Sequence, residues 1–250
     1  MAAFADHFSA AAGRYARFRP TYPTALFDYL AELAPRRELA WDCATGNGQV
    51  AVALAEYFDE VVATDASAEQ IAHALAHPHV RYAVVPAEAS GLDSASVDLV
   101  TVGQAMHWFA LDAFFSEADR VLRPGGVLAV WTYALMRVNP EVDARVEEFV
   151  DGPEGLGSYW PPERRLVDEG YASVDFPFES AAVPDLAMEA VWSLERFVGY
   201  IGTWSAMKRY REERERDPLP QLADDLAPYW SEGVQTVRWP LTVIVRRKPH

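Results

Sequence analysis

Basic residues are scarce in this chain: 22 Lys and Arg stand against 37 Asp and Glu, a formal charge of −15. Nucleic acid needs a basic stripe against its phosphates, and an anionic membrane needs a basic patch, so neither is expected as a partner. Cysteine is almost missing. The single Cys43 excludes an internal disulfide framework and a cysteine-rich metal site, and it fits a reducing cytoplasm. No apolar run approaches the roughly 18 residues of a membrane span. The first residues lack a basic end followed by an apolar stretch, so the expectation is a soluble cytoplasmic protein. The hydrolase elbow G-x-S-x-G, the Walker loop and a Tyr-x-x-x-Lys pair are also lacking. His73, His77 and His79 lie close together, but nothing adds the sheltered further ligand that zinc wants, so no metal is expected.

What is present is a large apolar fraction, 50% of 250 residues, enough for a sizeable core in one large domain or one domain with an insertion. The chain is organised around Leu39 to Ala55. Leu39-Ala40-Trp41 reads as a buried strand ending in Asp42. Gly46 and Gly48 make a tight turn, and Val50 to Ala55 opens a helix. Strand, glycine turn and helix begin a βαβ unit, which binds ligands at the strand's carboxyl end. A dinucleotide fingerprint would carry a third glycine, which is missing here. The next apolar run, Glu60 to Thr64, ends in Asp65, and an acid about 20 residues past the turn can accept both ribose hydroxyls.

Further strands are expected at Val80–Val85, Asp98 onward and Val127–Trp131, with a helix from Asp112 to Leu122 stopped by Arg123-Pro124-Gly125-Gly126. Ser67 is placed to cap a helix with Gln70. Gln104, His107 and Trp108 follow the fourth strand at its ligand-facing end. Beyond Ala134 the spacing predicts a helix at Glu141–Val150, a sixth strand within Tyr171–Phe178, a long helical stretch from Asp185 to about Glu215, and one closing strand at Val237–Val245. Pro240 is awkward inside that strand and argues for an edge or a bulge.

Asp42-x-Ala44-x-Gly46-x-Gly48 resembles motif I of class I S-adenosylmethionine-dependent methyltransferases, usually D/E-x-G-x-G-x-G. Ala44 replaces the first glycine, which matters if φ is positive there. With the L-R-P-G-G turn, the likeness covers residues 36–135. Tyr15 to Pro23, Trp41 to Gln49, Gln104 to Trp108 and Gly202 to Ala206 together are similar to the trans-aconitate methyltransferase-like group of the type 11 methyltransferases.

The resemblance implies an α/β, Rossmann-like sheet of seven strands in order 3-2-1-4-5-7-6, with strand seven antiparallel. It implies a helical lid at 1–35, the cofactor-binding core at 36–135, a helical cover with strand six at 136–235, and the closing strand at 236–250. It implies S-adenosyl-L-methionine as cofactor and S-adenosyl-L-homocysteine as product. The matching positions are Asp42, Ala44, Gly46, Gly48, Gln49, Asp65, Ala66, Ala87, Glu88 and Gln104, with Tyr15 and Arg19 from the lid. Pro86 stands where the commoner pattern has an aspartate near the adenine.

The expected reaction is methyl transfer to a small molecule, with an oxygen of a small carboxylic acid as acceptor. His107, Trp108 and Trp204 would line the substrate pocket. His107 is either a base or a residue that orients Trp108. An acidic acceptor wants a cation, for which Arg17, Arg19, Arg137 and Arg209 are candidates. An NAD(P)-dependent oxidoreductase and a non-catalytic cofactor-binding protein are the alternatives.

Overall fold

The computed structural model describes residues 20–230 and 233–250. Its seven-stranded sheet runs β3-β2-β1-β4-β5-β9-β6. The strands are β1 (Leu39–Cys43), β2 (Glu60–Asp65), β3 (Val80–Val84), β4 (Val97–Gly103), β5 (Leu122–Thr132), β6 (Glu179–Ser180) and β9 (Thr242–Arg247). β1 to β5 are parallel, and β9 enters antiparallel to β5. With β9 in the seventh place, this is the expected order and direction. The central strands β1 and β4 are apolar and buried along their length because helices cover both faces of the sheet. Helices α1 (Thr24–Leu33) and α2 (Gln49–Leu54) bring Leu26, Leu30 and Leu54 onto one face. The other face meets Phe114 and Ala118 of α4 (Leu111–Val121). Between β2 and β3, Ser67 caps the short α3 (Ala68–Ala72) by accepting from Gln70 N.

The amino ends of the sheet are tied by charge. Asp98, fully buried, accepts from the backbone N–H groups of Glu38 and Leu39 at 3.0 Å each and from Arg123 at 2.9 Å. Arg123, at the start of β5 where a turn was expected, is thus an anchor for β1 and β4.

A second apolar cluster lies in the stretch expected as the cover. It contains α5 (Pro140–Asp151), α7 (Leu194–Ile201), α8 (Ser205–Arg214), α9 (Leu219–Leu226) and a two-stranded sheet of β7 (Ala187–Trp192) and β8 (Gln235–Pro240). The short α6 (Arg164–Asp168) lies between α5 and β6.

Three expectations are corrected here. The sixth strand is Glu179–Ser180, and Tyr171–Phe178 is turn and coil, with Tyr171 and Phe178 at positive φ. The stretch from Asp185 begins with strand β7, not helix. The run Val237–Val245 is two strands in two sheets, because Pro240 ends β8 and the chain crosses to the main sheet at Leu241. The core's closing strand is therefore only Thr242–Arg247. Tyr15, Arg17, Arg19 and most of the expected lid lie outside the described residues. No helix among the described residues is long and apolar enough to cross a membrane.

Candidate functional site

β1 and β4 are neighbours, yet the connections from their carboxyl ends lead to opposite faces, so a crevice opens between those ends. Strained backbone marks it on both sides. Ala44 follows β1 at φ 56° and Gln104 follows β4 at φ 55°, both in the left-handed region that disfavours a Cβ. At the first motif position, then, a positive φ is required, and alanine is strained there. Ala44→Gly is expected to raise stability by about 0.5–1 kcal/mol, the relieved strain less the added chain entropy. Urea unfolding of the two proteins checks it; a lower midpoint for the glycine variant would refute the strain.

The glycines differ in purpose. A Cβ on Gly46 would meet nothing nearer than Gln70 Oε1 at 4.0 Å, so its backbone faces open space. A Cβ on Gly48 would fall 2.1 Å from the Tyr82 hydroxyl, so that glycine is fixed by packing against β3.

Asp65 organises the turn. Its Oδ2 accepts from Gly46 N and its Oδ1 from Ser67 N, each at 2.8 Å. Asp42 is only 1% exposed and lies between Thr45 Oγ1, at 2.5 Å, and Thr101 Oγ1, at 2.9 Å. Burial pushes its pKa from 3.8 up to about 7; the two threonine hydroxyls oppose the rise and the charge of Asp65 adds to it. Asp42 therefore holds the turn from inside the fold. Cys43 beside it is buried, and that burial pushes its thiol up, so it is no nucleophile.

Gln104 engages its amide oxygen twice and its amide nitrogen once. Oε1 accepts from Thr132 Oγ1 and Tyr133 N at 2.8 Å each, and Nε2 donates to Tyr133 O at 3.1 Å. Its role is to pin the β4 loop to the end of β5. Glu88 accepts from Ala110 N at 2.9 Å, fastening the loop after β3 to the start of α4 beside buried Ala87. That loop is further held by Glu117, whose pKa falls to about 2 through its bond to Arg120, with help from Ser90.

His107 stands in a single helical turn, Met106–Trp108, against which α6 packs. Its Nδ1 lies 3.1 Å from the Tyr171 hydroxyl, and its ring centroid is 4.8 Å from that of Trp108. Burial, and secondarily the charge of Arg164, lower its pKa to about 4, so it is neutral at pH 7. Trp204 is 8% exposed within the cover cluster, 5.6 Å from Trp160. Of the candidate cations, Arg137 is paired with Glu147 and Asp143. Arg164, which sequence reading missed, is the cation that stands near His107; its short charged helix reads as an ordinary solvated turn.

These residues fit an adenosyl-methionine group. Asp65 places a carboxylate at the tip of β2 beside the glycine turn, the group that ribose hydroxyls pair with. Gly46 leaves the space a Cβ would fill. Trp131 is fully buried, and its indole N–H has no partner among the described residues. The indole edge would lie 3.1 Å from a Cβ at Gly103, the last residue of β4. A donor left unpaired beside the crevice suits a ligand oxygen.

Comparison with known proteins gives the same direction. Residues 41–130 match the methyltransferase domain family. A Dictyostelium discoideum protein that carries the name of a methyltransferase, without a stated acceptor, is 35% identical over 225 residues, covering 89% of this chain and 86% of the relative. A solved structure from Anaeromyxobacter dehalogenans, named as a type II methyltransferase, is 47% identical, with a TM-score of 0.88 over 93% of this chain and 100% of that one. A methyltransferase-named structure from Bacillus halodurans, 20% identical with a TM-score of 0.52 over 91% of this chain and 99% of that one, shares the fold alone.

Proposed function

The chain belongs to the class I S-adenosylmethionine-dependent methyltransferases, and from that premise we propose that it methylates an oxygen of a small carboxylic acid. The carrying observation is His107. With a pKa lowered to about 4 it is a weak base, and the Tyr171 hydroxyl beside it is pushed up to about 12 by burial. An acceptor that arrives already deprotonated needs no base, whereas an alcohol or phenol wants one. A carboxylate meets that requirement at neutral pH.

When bound, the cofactor supplies a methyl group on a positively charged sulfur. The chain's part is alignment, exclusion of water and charge. Asp65 makes the crevice negative, and a cationic ligand would in turn favour ionisation of Asp42 beside it. Gly46, Gln49 and Asp65 with Ala66 form the cofactor wall, and Ala87 and Glu88 border the adenine side. Trp108 presents an aromatic face to the sulfonium. His107 orients Trp108 and carries no charge at pH 7. Tyr15 and Arg19 belong to the same proposal as parts of a lid.

Asp65→Ala is expected to weaken S-adenosylhomocysteine binding by about 1–3 kcal/mol, read by isothermal titration. Unchanged affinity would remove Asp65 from the ribose. Transfer of a labelled methyl group to a panel of carboxylic acids, phenols and amines tests the acceptor. Label in an alkali-labile ester is the expected result. Label in a phenol or amine would overturn the acceptor, and tight cofactor binding with no transfer to any class would favour a non-catalytic binding protein.

A further inference from the structure

Arg164 is a guanidinium with most of its fork idle. Its side chain is 17% exposed. It stacks over Trp160, with Cζ 4.3 Å from the ring centroid. Only Nε is occupied, donating to Asp168 Oδ1 at 2.7 Å, and Asp168 is more than half exposed. The two Nη groups have no partner among the described residues. The indole N–H of Trp160, sealed from solvent, has none either. Three unpaired donor groups on two stacked side chains therefore sit together in a protein whose charge is −15. The Trp160 N–H has lost its water without replacement, which is rare in native proteins, and the Arg164 Nη groups beside it are half-buried and open to a ligand.

Their position in the fold gives them a use. Arg164 opens α6, which packs on the turn holding His107, and the charge of Arg164 reaches that imidazole. Trp160 rests against Trp204 of the cover. The pair thus stands between the cover and the carboxyl end of β4, where the acceptor side of the crevice begins. Other arginines of this part of the chain are paired with carboxylates: Arg137 with Glu147, Arg211 with Asp217, and Arg214 with Glu154.

We propose that the Nη groups of Arg164 and the indole N–H of Trp160 form an oxyanion subsite for the methyl acceptor. This rests on the methyl-transfer reading and adds where the acceptor's charge is held. The group bound there is an acidic group other than the reacting oxygen. A bidentate guanidinium draws electron density from the oxygens it binds, so a nucleophilic oxygen held there would react slowly. The acceptor accordingly carries an anchoring oxyanion, a carboxylate or a phosphate ester, and a separate reacting group. Planar fork geometry and the ring stacking make arginine, not lysine, the fitting residue.

The test uses the full chain loaded with S-adenosylhomocysteine and isothermal titration of succinate, glutarate, citrate and phenyl phosphate. At least one probe is expected to bind the wild type, and the better of the carboxylate and phosphate arms identifies the oxyanion. Arg164→Gln should weaken that probe at least tenfold and Trp160→Phe by a smaller factor, while homocysteine-product affinity holds. Arg164→Lys should fall between wild type and Arg164→Gln. Arg164→Gln should also raise the His107 titration midpoint followed by NMR, since a nearby positive charge is removed. Probe affinity indifferent to Arg164, or no probe bound by the loaded protein, would overturn the subsite alone. Failure of the wild type to bind S-adenosylhomocysteine would overturn the methyl-transfer reading and the subsite with it.

Discussion

Asp42→Asn is expected to be more stable than the wild type at pH 8 by up to about 4 kcal/mol, relative to the difference between the two at pH 4. The folded protein holds the Asp42 proton up to a pKa of about 7, whereas the unfolded chain releases it near 3.8. A group whose pKa is raised by folding contributes stability below its unfolded value. That contribution is lost as pH rises through the folded value. In the wild type the loss falls between pH 4 and 7, and asparagine, which has nothing to ionise, does not suffer it. Asparagine also retains an acceptor for one of the two threonine hydroxyls, Thr45 or Thr101, and either hydroxyl can turn to accept from its amide. Urea unfolding of ligand-free protein at both pH values is the measurement. A stability difference that does not change with pH would show that Asp42 ionises normally. The same variant should bind the cationic cofactor more weakly, because a strained anion at the crevice is relieved by a positive ligand.

The second large effect has the opposite slope. His107 has its pKa lowered from 6.5 to about 4, chiefly by burial. A group depressed by folding contributes stability above its unfolded value and loses it as pH falls toward the folded value. Between pH 6.5 and 4 the wild type should lose about 3 kcal/mol through this histidine. His107→Asn, which cannot take a proton, should be spared that loss, so its stability relative to wild type rises on acidification. Over the same interval Asp42 works the other way, and the wild-type profile is flatter than either variant's. Parallel unfolding series from pH 7.5 to 4.5 separate the two. An NMR titration midpoint for His107 near 6.5 would defeat this expectation and reopen its role as a base.

The legible part of the fold was local. Leu39 to Ala55 announces strand, turn and helix because a short apolar run, two glycines and an apolar helix face follow one another without interruption. Asp65 was legible because it ends an apolar run at a fixed distance from that turn. The helix before Arg123 and the strand segment Val127–Trp131 were legible for the same reason, although β5 begins earlier, at Leu122, and takes in the residues expected to turn. Beyond Ala134 local pattern failed. The stretch 185–192 alternates weakly, and it is a strand because β8 offers it a ladder. Residues 237–245 look continuous in composition, and only Pro240, with no N–H to give, hints at the break. Tyr171–Phe178 is apolar enough for a strand, yet its apolar residues pack under α4 and the His107 turn without joining the sheet.

Sequence by itself determined the central strands, the two acidic tips and the bare backbone between them, since each depends on neighbours within a few residues. Tertiary structure decided what those groups are worth. It sealed Asp42 between two threonines, put Ala44 and Gln104 into left-handed backbone, used Gln104 on β5, and kept His107 neutral. It also carried Arg164 to the site from a short helix that nothing in its own residues distinguishes. Charge state and pairing depend on desolvation and on partners distant in the chain, and these exist only after the chain has packed.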